Sequence, residues 1–266
     1  MLKHLLKFSD AGRHVKPHGR RPASSGIYIV MAPRNLVVLT GAGISAESGV
    51  PTFRAADGLW LGHRVEDVAT PEAFERDPAL VQDFYNKRRR QLATVHPNAA
   101  HRALADLAAR WEGDFLLVTQ NVDDLHDRAH EDTPPGPGFE LIHMHGELGK
   151  ARCTASDVVG DCPGDLEPNH VSPHHPAGRL RPHIVWFGEI PLEMDRIEQA
   201  LSQCDLFLSI GTSGAVWPAA GFVQQARMAG ARTVEVNLEP SLGGPLFDET
   251  LRGPAGQVLP PFLADL

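Results

Sequence analysis

Asn35-Leu36-Val37-Val38-Leu39-Thr40 runs without a break into Gly41-Ala42-Gly43-Ile44-Ser45. An uninterrupted aliphatic and β-branched run suits a strand covered on both faces, as in a parallel sheet. The glycines after it are what a diphosphate needs, because backbone can approach closely and N–H groups at a following helix start can point at the anion. Alone, the same Gly-x-Gly also reads as a structural turn or as the fingerprint of an oxidoreductase. The oxidoreductase unit normally reaches its second strand within ~30 residues. Here the next strong strand starts near Phe115, too far on for that simple unit.

Four further segments repeat the pattern of an apolar run that stops at small polar groups. They are Phe115-Leu-Leu-Val-Thr119 into Gln120-Asn121, Leu141-Ile142 into His143-Met144-His145-Gly146, Leu206-Phe-Leu-Ser-Ile210 into Gly211-Thr212-Ser213, and Thr233-Val-Glu-Val236 into Asn237-Leu238-Glu239. Helical stretches lie between several of them: one follows the Asn98 cap and carries Leu104 and Leu107, and another runs from Pro218 to Met228 and closes at Gly230. This alternation predicts an α/β fold with a doubly wound parallel sheet. Ligands of such sheets sit beyond the carboxyl ends of the strands, where all the polar clusters fall, so one site is expected.

Two intervals break the alternation. Residues 61–98 read as helical, with Asp77 capping Pro78 and leading through Leu80, Val81 and Phe84 to Arg88-Arg89-Arg90. Residues 147–183 are rich in Pro, Gly, His and Asp and read as loops. Together they are expected to form a small second lobe, the main domain taking 31–60, 99–146 and 184–266.

Composition narrows the function. The 266 residues are 42% hydrophobic and 22% charged, which suits neither a disordered chain nor a membrane protein. No apolar run approaches the ~20 residues of a spanning helix. A net charge of -8 argues against nucleic-acid binding by broad phosphate neutralisation. Three cysteines make no disulfide framework, so a reducing cytoplasmic compartment is expected. Residues 1–30 are exceptional, with six Lys or Arg against Asp10 alone; they read as a basic, disordered arm, and Met31 is an alternative start.

The stretch Gly41-Ala-Gly-Ile-Ser-Ala-Glu-Ser-Gly-Val-Pro-Thr-Phe-Arg54, with Thr119-Gln-Asn-Val-Asp123, His143-Met-His-Gly146, Val185-Trp-Phe-Gly-Glu189, Gly211-Thr-Ser213 and Asn237-Leu-Glu239, resembles the sirtuins, NAD-dependent protein-lysine deacylases. The motifs occur in order between about residues 35 and 260, and the likeness is strongest to the bacterial class III type. It implies a Rossmann-like NAD domain and a reaction without a catalytic metal. The acyl-lysine amide oxygen attacks the anomeric carbon, nicotinamide leaves, and the acyl group ends on ADP-ribose.

By this resemblance Gln120, Asn121, Val122 and Asp123 hold the nicotinamide end, Phe53 shields the ribose, and Arg54 and Trp60 lie along the cofactor. Gly41, Ala42, Gly43 and Ser45 form the glycine-rich floor of the site. Gly211, Thr212, Ser213, Asn237, Leu238, Glu239 and Ala255 complete the phosphate and adenine-ribose half. His145 is the expected general base, because neutral imidazole accepts a proton near neutral pH; His143 is its rival, on the same strand face by period two. Val185, Phe187 and Gly188 belong to the segment beside which sirtuins pair an acyl-lysine peptide as an added strand. Tyr85 and Arg88 share a helix face and match the Tyr-x-x-Arg with which class III sirtuins recognise an acidic acyl end, so desuccinylation is expected beside deacetylation. Protein mono-ADP-ribosylation and non-catalytic ADP-ribose binding are the competing functions; a monomer with no lipid or nucleic-acid partner is expected.

The chain departs from the family in its small lobe. Most sirtuins hold a structural zinc with two Cys-x-x-Cys pairs, but Cys153 is followed three residues on by Ser156, and Cys162 is the only other cysteine in the interval. His170, His174 and His175 have permitted spacing, yet the cysteines lie too far apart for the usual close pair, so no zinc is expected. Cys204 reads as core. His126-Asp127-Arg128-Ala129-His130 imitates a zinc-protease helix without its Glu, and is read as a solvated helix face.

Overall fold

The computed structural model describes residues 34–52, 59–60 (backbone only) and 62–266. The basic arm, Phe53 and Arg54, and the side chain of Trp60 lie outside the described residues. In chain order the elements are β1 (Leu36–Thr40), α1 (Ala42–Ser45), β2 (Leu59–Trp60), β3 (His63–Arg64), α2 (Val65–Val68), α3 (Pro71–Arg76), α4 (Pro78–Leu92), α5 (Ala99–Arg110), β4 (Phe115–Thr119) and α6 (Leu125–Asp132). There follow β5 (Phe139–His143), β6 (Gly146–Cys153), β7 (Val159–Asp161), β8 (Leu180–Ile184), α7 (Met194–Leu201), β9 (Leu206–Ile210), α8 (Phe222–Met228), β10 (Arg232–Asn237), β11 (Glu249–Arg252) and α9 (Ala255–Ala264).

The main sheet is wholly parallel, in the order β11-β10-β9-β1-β4-β5. Every residue of β1, β4 and β9 is buried, as their unbroken apolar runs require. Alternate side chains serve opposite faces: Leu36 and Val38 join Leu104 and Leu107 of α5 and Leu259 and Leu263 of α9, while Val37 and Leu39 join Ile197 and Leu201 of α7 and Phe222 and Val223 of α8. Each such Leu or Phe stabilises the fold by ~1.5–3 kcal/mol through burial. Truncating a fully buried one, as in Leu117→Ala, costs ~2–5 kcal/mol once the cavity is included. The doubly wound α/β class is as expected. Its chain reverses direction about β1, which has β4 on one side and β9 on the other, and this switch point is where ligands of such sheets bind.

The helical reading of the first interval holds. Asp77 Oδ1 accepts from the Leu80 N–H at 3.0 Å at the start of α4, and Asn98 and His101 form a reciprocal capping box on α5. The second interval is different: residues 147–183 are not merely loops but carry most of an antiparallel sheet, β7-β6-β8. Its strands are masked in the sequence because few apolar residues suffice: β6 buries Leu148, Ala151 and Cys153, and an irregular register between Glu147 and Ala151 breaks simple alternation. This sheet and α2–α4 share an apolar cluster of Val68, Phe74, Val81, Phe84, Tyr85, Leu148, Ile184 and Trp186. The helix expected from Pro218 also begins later, since Ala219–Gly221 form a tighter 3₁₀ turn before α8. Its end is as read: Gly230 takes φ +89°, and Ala231 N–H reaches back to the Ala226 carbonyl.

Candidate active site

The carboxyl ends of β1 and β9 meet through backbone. Gly41 N–H donates to the Ile210 carbonyl at 3.0 Å, and Gly43 N–H donates to the Gly211 carbonyl at 2.8 Å. A Cβ at Gly43 would lie 2.6 Å from Gly211 Cα, and Gly211 itself takes φ +63°. Those two N–H groups therefore do not point at a diphosphate, as the sequence suggested; the glycines are required because two main chains touch. The same junction gathers Gln120, whose Nε2 donates to Thr212 Oγ1 at 3.1 Å, and Asn237, whose Nδ2 donates to the Thr212 carbonyl at 2.7 Å. Ser213 and Ala42 lie in these turns. Leu238 and Glu239 follow on the exposed side, where the Glu239 carbonyl accepts from Arg252. Ala255 is instead nearly covered, packed in the cluster under β10.

Beneath this floor is a polar network that sequence reading largely missed. Asn121 Nδ2 donates to Ser45 Oγ at 3.1 Å, and Ser45 also bonds Asp123. The Asn98 N–H donates to His101 Nδ1 at 3.3 Å, so the His101 hydrogen sits on Nε2, 3.4 Å from Ser45 Oγ. Ser45 thus accepts from two sides and turns its own hydrogen toward Asp123. Burial pushes the Asp123 carboxyl up and lowers His101 to about 3, keeping that imidazole neutral. The Asn98-x-x-His101 spacing was the one available signal for this link. His126 packs beside it, its ring 4.8 Å from that of His101 and its Nε2 3.0 Å from Thr40 Oγ1. At 2% exposure it is not on a solvated face: α6 turns that side into the sheet, and burial holds it neutral.

The two candidate bases part company. His143 ends β5 and turns to α6, its Nε2 3.0 Å from Asp127 Oδ2. Burial alone would lower its pKa, but the Asp127 hydrogen bond and charge outweigh it and raise the pKa. His145 lies beyond the strand, and its Nδ1 hydrogen bonds the Gln120 carbonyl at 3.0 Å. A carbonyl only accepts, so Nδ1 carries the hydrogen and Nε2 keeps its lone pair. Burial lowers the His145 pKa, which favours this neutral form. Val122 continues the loop and its carbonyl accepts from the Leu148 N–H at 2.9 Å.

The segment after β8 is anchored to the same place. Val185 N–H donates to the His145 carbonyl at 2.9 Å, and Phe187 N–H to that of Ala69 at 3.0 Å. Gly188 takes φ +92°, which turns the chain so that Glu189 Oε2 receives the Trp186 N–H at 2.8 Å. Phe187 is half-exposed. Trp186 Nε1 donates to Tyr85 Oη at 3.0 Å, which brings the Tyr85 and Arg88 turn of α4 alongside. Burial raises the Tyr85 phenol above its ordinary range and lowers Arg88 to about 10. Among the described residues, no three of His, Cys, Asp and Glu converge as a metal site.

The Sir2 family model matches residues 41–218, which carry all the strand ends just described except that of β10. The chain belongs to the Sir2 family. Among curated relatives, an NAD-dependent protein deacylase of Escherichia coli strain K12 is 58% identical over 241 residues, covering 89% of this chain and 83% of the relative. One of the same name from Yersinia pseudotuberculosis is 56% identical and covers 99% and 95%. Among solved structures, a Sir2 homolog–NAD complex superposes with a TM-score of 0.77 at 37% identity, covering 88% and 89% of the two chains. A Sir2 homologue mutant bound to ADP-ribose gives 0.78 at 37% identity, covering 87% and 91%. In Sir2-family terms the fold is the Rossmann-like one expected.

Proposed function

We propose that this Sir2-family chain is an NAD-dependent protein-lysine deacylase that removes acetyl and succinyl groups. NAD supplies the anomeric carbon that the acyl-lysine amide oxygen attacks; nicotinamide leaves and the acyl group passes to ADP-ribose. The donor set fits a carboxamide, since Asn121 and Asp123 are 7% and 6% exposed at one strand end and are held apart by the same Ser45 hydroxyl. Asn121 and Asp123 grip the nicotinamide end, His145 Nε2 takes the proton of a ribose hydroxyl, and Gly41–Ser45, Gly211–Ser213, Asn237–Glu239 and Ala255 serve the rest of the cofactor, with Phe53, Arg54 and Trp60 closing over it. The peptide pairs with Val185, Phe187 and Gly188, while Tyr85 and Arg88 take an acidic acyl end.

The observation that carries this reading is the fixed His145 tautomer, with a lone pair on Nε2 in the loop that also presents Asn121 and Asp123. Incubating acylated lysine peptides with NAD and following them by mass spectrometry tests it. Free lysine with O-acyl-ADP-ribose is expected; nicotinamide release with an unchanged peptide would overturn it. The 61–98 and 147–183 segments we read as a zinc-free small lobe, supported by the Cys162 thiol bonding the Gly164 carbonyl at 3.3 Å. Among the described residues no helix is long and apolar enough to cross a membrane. We read the enzyme as a cytoplasmic monomer acting on proteins, with the net charge of -8 disfavouring nucleic acid.

A further inference from the structure

Trp186 is fixed on every side. Its backbone N–H is held by Glu189 Oε2 at 2.8 Å, and its ring carries the Arg181 guanidinium 3.5 Å above the ring centroid. Arg181 is itself clamped by both oxygens of Glu189, at 2.7 and 2.8 Å, and by the Ile184 carbonyl at 2.7 Å. Phe74 covers another side, with ring centroids 5.5 Å apart, and the residue is 2% exposed. From this rigid seat the indole Nε1–H reaches Tyr85 Oη at 3.0 Å.

An indole nitrogen can only donate, so the phenol oxygen must accept from it. A phenolic hydrogen prefers the plane of its ring, which offers two positions. The indole hydrogen fills the lone-pair side that faces it, so the Tyr85 O–H turns to the opposite side and acts as a donor. A donor is what a carboxylate needs, and a phenol free to turn would present its lone pair half the time. Trp186 donates before any substrate arrives, so this orientation is built into the apoenzyme.

We infer that Trp186 is a positioning residue for acidic acyl groups: it orients the Tyr85 hydroxyl to donate into the acyl subsite while its own backbone lies in the peptide-pairing segment. The inference rests on the acidic-acyl reading of Tyr85 and Arg88. Its test is a double-mutant cycle read as the ratio of kcat/KM for succinyl-lysine to that for acetyl-lysine in one peptide. Trp186→Phe keeps an aromatic ring and removes the N–H; the ratio is expected to fall about fivefold, the worth of one oriented neutral hydrogen bond. In a Tyr85→Phe background the same change should leave the ratio unmoved, because no hydroxyl remains to orient.

An unchanged ratio in the Trp186→Phe enzyme overturns the inference, and so does an equal fall in both backgrounds, which a purely structural role would give. If Trp186→Phe does not fold, benzothienylalanine at position 186 replaces the N–H by sulfur at nearly the same shape, and the same cycle decides. A wild-type enzyme that removes acetyl but not succinyl refutes the underlying reading separately, before any variant is made.

Discussion

Replacing Arg88 by Met tests the acyl specificity most directly. Arg88 is 8% exposed, lies over the Phe84 ring at 4.1 Å, and one turn away from Tyr85 on α4. Burial pushes its pKa down to about 10. Against an ordinary guanidinium near ~12.5, at ~1.4 kcal/mol per pH unit, the charge is held at a cost of about 3 kcal/mol. A carboxylate arriving beside it recovers part of that, and the direct bond adds ~1.5–3 kcal/mol as a charge-assisted pair. Met matches the length and apolar bulk of the side chain but offers neither charge nor donor. The expected result is a ~10- to 100-fold fall in the succinyl-to-acetyl ratio of kcat/KM, measured on one peptide carrying either acyl group. Equal proportional loss of both activities would show that Arg88 supports the fold of α4 and reads no acyl charge.

The remaining expectations concern protons and metal. His145→Ala should lower turnover ~100-fold or more while NAD binding, followed by calorimetry, is largely kept; near wild-type turnover in that variant, with loss in His143→Ala, would reverse the assignment. A base works deprotonated, and burial lowers the His145 pKa, so the acid limb of the rate profile should lie below ~6.5; a limb above that value refutes it. Burial also lowers His126, so its stabilisation is present above ~6.5 and lost as pH falls; the unfolding free-energy difference between wild type and His126→Gln should shift by about 2 kcal/mol between pH 7 and pH 5. The opposing group is His143, raised by Asp127, whose contribution is present in acid and lost as pH rises through its folded value; a His126 difference that is flat with pH contradicts the assignment. Elemental analysis of active enzyme should find no zinc; one zinc per chain, lost with activity on mutating Cys153 or Cys162, would mean that histidines of the 170–175 stretch had joined as ligands.

The sheet was legible because buried parallel strands must be apolar throughout, and Leu36–Thr40, Phe115–Thr119 and Leu206–Ile210 are. Their polar ends located the site for the same reason. Choosing His145 over His143 needed the family's pattern; period two puts both on one face, and only the structure separates a partner carboxylate on α6 from a carbonyl on Gln120. The sequence misled where contacts are long-range. Gly41 and Gly43 looked like anion-binding glycines because nothing local announces Gly211, and His126 looked solvated because its partner Thr40 is 86 residues away. The β7-β6-β8 sheet was hidden by composition, since Pro, Gly and His dominate the count while a handful of residues, Leu148, Ala151 and Leu180 among them, bury its inner face.

The central position of β1 also governs how the chain comes to be folded. Its two neighbours arrive very unequally: Leu36 pairs with Phe115 on one edge and with Leu206 on the other. During synthesis β1 therefore spends most of the chain's emergence with a wholly apolar strand open on the β9 side. The Gly43–Gly211 seam closes only when the last third of the polypeptide is out. Assembly of the cofactor cleft is consequently a late, high-contact-order event, and the nascent intermediate is a sheet with a sticky middle edge, the species that holdase chaperones bind and that aggregates when they are scarce.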